Sequence, residues 1–164
     1  MIEFGRKKQT GRVLKRSFKK ILVPLDGSRI SFRALKEAIN LARFTGSQVI
    51  GIYVIPEDIS ALPITEIVQP LSTLHQSGFE KKIFRYGKKI VADAEEICKK
   101  NKIKFSGHIV KGNPGYDIVK FSSTDKVGLI VIGSRGKGPT KEIFLGSVSN
   151  YVVHKAKCPV MIIK

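Results

Sequence analysis

Short, unbroken apolar runs alternate along the chain with stretches whose apolar residues fall at helical spacing. Ile21-Leu22-Val23 ends in Pro24, Asp26 and Gly27, as a buried strand running into a turn does. The next stretch sets Ala34, Leu35, Ala38, Ile39, Leu41 and Ala42 on one helical face, with Ser28 or Ser31 as its cap and Gly46 as its break. Residues 49–55 read as a second strand closed by Pro56, and residues 56–78, broken by Pro63 and Pro70, as a long connection with one short helix. A long helix is predicted over 79–100, its buried stripe marked by Ile83, Tyr86, Ile90, Ala94 and Ile97 and weakened locally by Gly87. A third strand over 103–110, a turn at 112–115 and a short helix over 116–123 follow. Residues 127–132 make a fourth strand. A glycine-rich loop, a helix over 147–155 and a fifth strand over 160–163 complete the pattern.

Strands that are apolar throughout are buried on both faces. With strict alternation of strand and helix, this predicts one α/β domain built on a mostly parallel sheet with helices on each side. Ligands of such open sheets sit beyond the carboxyl ends of the strands, where strand order reverses. The loops over 24–27 and 133–146 are therefore the places to look.

Composition changes this picture in one respect. With 42% hydrophobic and 26% charged residues, a chain of 164 residues is an ordinary globular domain. No run approaches the roughly 18 apolar residues of a membrane helix, and the first twenty residues lack the apolar core of a signal peptide, so a cytoplasmic, membrane-free protein is expected. Cys98 and Cys158 stand alone and read as core or near-core thiols. The charge is the exception: 30 Lys and Arg against 13 Asp and Glu give a formal +17. Residues 1–19 show no sustained period and read as a basic arm ahead of a domain over 20–164. Within residues 1–20, eight basic residues face Glu3 alone, and residues 81–104 add nine against three acids. Anionic partners are favoured: nucleotide, nucleic acid or headgroups.

The candidate chemistry lies in the second loop. Gly133-Ser134-Arg135-Gly136 is followed, after nine residues, by Gly146-Ser147-Val148-Ser149. Gly133 and Gly136 allow a tight turn and close approach to a ligand just past a strand. Gly146 and the residues after it open the last helix, where unpaired N–H groups and the positive dipole end favour phosphate, with Ser147 and Ser149 as added hydroxyls. The chain has no GxxxxGK[ST], and no GxGxxG after its first strand. Asp26 reads either as a turn former or as a ligand contact, and its place at the end of the first strand favours contact. Arg135 reads as a phosphate or ribose contact or as a solvated loop residue. Lys137 and Lys141 serve equally as phosphate neutralisers or surface charge. His75, His108 and His154 share no motif, and no nucleophile–base pair or paired carboxylates stand out.

The spacing G-x2-G-x9-G-S resembles the nucleotide-binding signature of the universal stress protein family, as do Ile21-Leu22-Val23-Pro24-Leu25-Asp26-Gly27-Ser28 and Cys158-Pro159-Val160. The resemblance covers about residues 18–164. It implies a Rossmann-like, adenine nucleotide alpha hydrolase-like domain with a five-stranded parallel sheet in the order 3-2-1-4-5. It also implies homodimers joined through the final strands, and ATP binding in one branch. Carried over by position, Asp26 matches the acid that contacts the ribose, and Pro24, Val54 and Ile132 the lining of the adenine pocket. Gly133, Arg135, Gly136, Gly146, Ser147, Val148 and Ser149 match the residues that hold ribose and phosphates. AMP or ADP would suit the same loops, and Mg²⁺ would enter through the phosphates. Val127-Gly128-Leu129 lacks the family's frequent acid before the strand, and Tyr53 stands where His is frequent.

Three functions compete on these residues. The first is an ATP-binding regulatory or stress-response protein. The second is weak, nonspecific nucleic-acid association driven by the basic arm and helix, without an RNP, helix-turn-helix or zinc-finger signature. The third is a slow ATPase, for which Arg135 supplies charge but no residue supplies a convincing base.

Overall fold

The computed structural model describes residues 18–57, 76–136 and 145–164. The arm expected over 1–19 therefore lies, up to residue 17, outside the described residues, as do most of the expected connection over 56–78 and both Lys137 and Lys141. Among the described residues nine elements alternate: β1 (Lys20–Pro24), α1 (Arg29–Thr45), β2 (Gln48–Pro56), α2 (Gln76–Lys100), β3 (Phe105–Gly112), α3 (Pro114–Thr124), β4 (Leu129–Gly133), α4 (Ser147–Lys155) and β5 (Val160–Ile163). The strands form one sheet in the order β3-β2-β1-β4-β5, and every pairing is parallel. The strand order reverses at β1, between β2 and β4, and both candidate loops leave the sheet there.

Two apolar layers sandwich the sheet. On one face Ile21, Val23, Val49, Leu129 and Val131 pack with Ala34, Leu35 and Ala38 of α1 and with Ile90, Ala94 and Cys98 of α2. On the other, Leu22, Ile50, Ile52, Ile130 and Ile132 pack with Ile118 of α3 and Val152 of α4. Ile21, Leu22 and Val23 of the central strand have no exposed surface. That is the physical meaning of an apolar run without alternation. At the sheet's outer edge β5 presents an exposed Met161. Among the described residues, no helix is long and apolar enough to cross a membrane.

The element boundaries differ from the sequence expectation where turn chemistry intervened. β3 starts at Phe105 rather than 103, because the Ile103 N–H bonds back to the Cys98 carbonyl and Lys102 takes a left-handed φ of 57°. β4 starts at Leu129 rather than 127 for the same reason: Val127 N–H donates to Ser122 and Lys126 sits at φ 53°. The turn expected at 112–115 is instead a helix start, with Asn113 capping the Tyr116 N–H and Pro114 at the first helical position. Gly87, which weakens α2 by propensity alone, is required by packing. A Cβ there would come within 2.6 Å of the Tyr53 ring.

Cys98 is fully buried, and burial pushes its thiol up to about 11 from the ordinary 9.0, with Glu95 adding to the shift. The neutral thiol is the folded form, so its contribution to stability is complete below pH 9 and is lost as pH rises towards 11. Ellman's reagent should accordingly leave Cys98 unmodified in native protein at pH 8 and react with it on unfolding. Rapid native reaction would contradict its burial.

Candidate functional site

The loop after β1 is shaped by its own short-range bonds. Leu25 N–H still donates to the Ile52 carbonyl at 2.8 Å, extending the strand by one residue. The Asp26 carboxylate then accepts the Ser28 N–H through Oδ1 at 2.9 Å, closing an Asx turn around Gly27. Gly27 has φ +81°, and a Cβ there would meet the Tyr86 hydroxyl at 2.6 Å, so both backbone and space demand glycine. Ser28 caps α1 by accepting the Ser31 N–H at 3.1 Å. Of the two serines that the sequence offers as alternatives for this cap, Ser28 is the one. Asp26 is thus held by one oxygen, and the other faces across the cleft.

Across the cleft stands the loop after β4. A Cβ on Gly136 would come within 2.6 Å of Asp26 Oδ2, so the second glycine of the motif passes against the carboxylate. A Cβ on Gly133 would come within 2.6 Å of Ile30 Cγ2, so the first glycine lets the β4 end lie against the start of α1. Gly146 sits over the same loop: its Cβ direction points to Arg135 Cα at 3.6 Å and Gly136 N at 3.8 Å. Asp26, Gly136 and Gly146, 120 residues apart at the extremes, therefore meet at one place.

Ser134 closes this loop, a role its place in the motif did not announce. Its N–H donates to the Ile163 carbonyl at 2.6 Å, and its carbonyl accepts from Gly146 N–H and Ser149 Oγ, each at 2.8 Å. Sequence reading had no signal for it, because the bonds run through backbone that any residue offers. The consequence for α4 is direct. Gly146 is its N-cap in an extended conformation and supplies no side-chain cap, so among the described residues no side-chain oxygen caps the helix's first turn. A phosphate suits that place in both charge and hydrogen bonding.

The remaining candidates sort by where their side chains go. Ser147 is exposed at the first turn of α4. Ser149 is 3% exposed and its hydroxyl bonds the Ser134 and Gly146 carbonyls, so what it has for an anion is its backbone N–H. Val148 packs on the α3–α4 side of the core, leaving it the same role. Val54 and Ile132 belong to that same apolar layer at the strand ends, and Pro24, buried and paired with Ile52, ends the central strand between them. These three lie at the carboxyl ends of β1, β2 and β4. Arg135 is exposed on the rim. Two of the histidines lie elsewhere, His108 packing against Phe121 at 4.9 Å and His154 contacting the Asn150 carbonyl in the last turn of α4, while His75 lies outside the described residues. Among the described residues no group of three or more His, Cys, Asp or Glu could hold a metal ion.

The profile of the universal stress protein family matches residues 17–164. The chain belongs to that family. A universal stress protein of Methanocaldococcus jannaschii, MJ0531, is 35% identical over 150 residues, covering 90% of this chain and 82% of its own. A second universal stress protein of that organism, MJ0577, is 31% identical over 154 residues. Its solved structure matches this one with a TM-score of 0.75 over 90% of this chain and 96% of that one. The universal stress protein of Archaeoglobus fulgidus, solved in complex with dAMP, matches with a TM-score of 0.64 at 26% identity, covering 90% and 98% of the two chains. The universal stress protein fold thus extends over the whole sheet, from the first candidate loop to β5.

Proposed function

We infer that this universal stress protein binds an adenine nucleotide, with ATP as its physiological ligand, and acts in stress response as a nucleotide-dependent regulatory module. The observation that carries the reading is the start of α4, without a side-chain cap among the described residues, set beside Gly136 and Asp26. Phosphates would take the N–H groups of Ser147, Val148 and Ser149 and the Ser147 hydroxyl, with Arg135 as the nearby cation. Asp26 would accept from the ribose hydroxyls through Oδ2, its Oδ1 being fixed by Ser28. Pro24, Val54 and Ile132 would floor the adenine. That the Archaeoglobus relative was solved in complex with dAMP supports an adenine nucleotide as the class of ligand. Mg²⁺ would be held through the phosphates, since Asp26 alone makes too few oxygens for a protein cage.

Native mass spectrometry of protein purified without added ligand, then after incubation with Mg-ATP, tests this reading. The expected particle carries one adenine nucleotide per chain, as ATP. ADP would bring hydrolysis in as part of the function, and AMP would replace ATP with a monophosphate ligand. Protein that stays empty after incubation would overturn the site. The same spectrum reads the homodimer proposed through β5, the edge strand with Met161 exposed, and a monomer would remove it.

A further inference from the structure

The pole of the sheet opposite the candidate loops is built of lysines. In a parallel α/β sheet every strand begins and every helix ends at one pole, and here hydrogen bonds lace those beginnings together. Gln48 N–H donates to the Lys19 carbonyl, Val49 to Lys104, Gly128 to Lys20 and Ile130 to Pro159. In sheet order, the entries to β3, β1, β4 and β5 carry Lys104, Lys19, Lys126 and Lys157, all exposed. Five strands at about 4.8 Å spacing spread this row over about 20 Å. Two of the nearby acids are already engaged, Asp125 holding Lys20 at 2.8 Å and Glu96 holding Lys100 at 2.7 Å, which leaves Glu95 as a further exposed acid near the end of α2. The carboxyl pole differs, mixing Asp26, Glu57 and Asp117 with Arg29, Lys111 and Arg135 among the described residues.

Helix dipoles account for part of this charge. Arg43, Lys99, Lys100 and Lys155 lie in last turns, where cations are favoured. They do not account for lysines at strand entries. Nor do they explain the backbone. Lys102 and Lys126 are the described non-glycine residues with positive φ, at 57° and 53°, and each follows a helix at this pole. α1 ends in the ordinary way, on Gly46 at φ 71°. α2 and α3 place an exposed lysine where the conformation favours glycine or asparagine, a choice that costs stability and adds only charge.

We propose that this amino pole binds the phosphate backbone of nucleic acid, without reading sequence. Four features select that occupant. The row is long enough to face several phosphates, whereas a free nucleotide would meet one or two cations. Residues 1–17, which add six Lys and Arg against Glu3, join the chain at this pole through Phe18, whose carbonyl accepts the Ser47 hydroxyl. Phe44, 83% exposed beside Arg43, gives the pole a ring on which an unpaired base can stack. Against a bilayer, a single ring amid lysines offers little apolar area to bury. The proposal does not rest on the nucleotide site, which lies at the other pole.

Fluorescence anisotropy of the full-length protein with a labelled 20-nucleotide single strand and a 20-base-pair duplex, from 50 to 300 mM NaCl, tests it. Two fourfold variants carry the same loss of charge. Lys102→Gln, Lys104→Gln, Lys126→Gln and Lys157→Gln together remove four exposed lysines from the pole; Arg33→Gln, Lys36→Gln, Lys81→Gln and Lys88→Gln remove four cations from exposed positions on the α1–α2 face. The first is expected to flatten the duplex slope of log K against log salt by about 3 to 4, and the second to change it by less than about 1. Equal weakening by both would make net charge the whole effect and overturn the pole. Binding of phosphatidylserine vesicles in place of either oligonucleotide would overturn the choice of nucleic acid. The pair Lys102→Gly and Lys126→Gly gives opposite signs: the melting temperature should rise by about 2–4 °C while the salt slope flattens by about 2. A fall in melting temperature would show the two lysines to be structural and overturn their assignment to binding.

Discussion

Leu22→Ala is expected to remove about 3 kcal/mol of stability, a large part of what a domain of this size has to lose. Leu22 lies in the central strand, hydrogen-bonded between β2 and β4, with Ile50 and Ile130 as its register partners. It is wholly buried, and its partners are at most 2% exposed. A cavity left there cannot close easily, because collapse would require the sheet itself to buckle between two paired neighbours. The urea midpoint should fall by about 1.5 M for an m-value of about 2 kcal/mol/M. Met161→Ala on the exposed edge should move stability by less than about 0.5 kcal/mol. A Leu22→Ala midpoint within about 0.3 M of the parent, about a fifth of the expected shift, would place the core elsewhere.

The same strand shows what was legible in advance. Apolar runs without alternation at Ile21–Val23 and 129–132 are readable as doubly covered strands, because burial on both faces removes the polar residues that mark a solvent side. The helical faces were legible for the matching reason: Ala34, Leu35, Ala38 and Ile39 are all buried at their predicted spacing. Boundaries were less so. The lysines at 102 and 126 adopt left-handed conformations that nothing in their identity announces, and each delays the strand after it by two residues. Gly87 was read as a weakness of α2, whereas the Tyr53 ring that fills its place lies on a strand more than thirty residues away.

In the site, residue type carried the glycines and Asp26 but not the bonds between them. The convergence of Asp26 with Gly136 depends on strand order, which places β1 beside β4 although α1, β2, α2, β3 and α3 intervene in the chain. Ser134 escaped notice because it works through its carbonyl and N–H. Ser149 was legible as a hydroxyl at a helix start, yet its hydroxyl turns inward to the loop that Ser134 closes. Spacing can mark which residues flank a ligand. Which atom of each is available depends on partners brought in by the fold.

Gly146→Asp should therefore separate the helix from its proposed ligand. Gly146 has φ −70° and ψ 164°, an extended conformation open to any residue, and among the described residues the nearest atoms to a Cβ lie at 3.6 Å or beyond. An aspartate there fits without strain and can accept the N–H groups of the first turn, as N-cap aspartates do. It would also place a carboxylate at the positive end of α4. Stability should rise by about 0.5–1 kcal/mol, read as a higher urea midpoint. Nucleotide affinity should fall about 100-fold or more, because the carboxylate takes the same N–H groups and repels the phosphates, and 100-fold corresponds to about 2.7 kcal/mol. Gly146→Ala, equally unhindered but uncharged, should keep affinity within about threefold while losing some of the cap's stability. Titration calorimetry with ATP distinguishes the cases. A more stable Gly146→Asp protein that binds ATP as well as the parent would move the phosphates away from α4, whereas loss of binding with gain of stability is a combination that damage to the fold cannot produce.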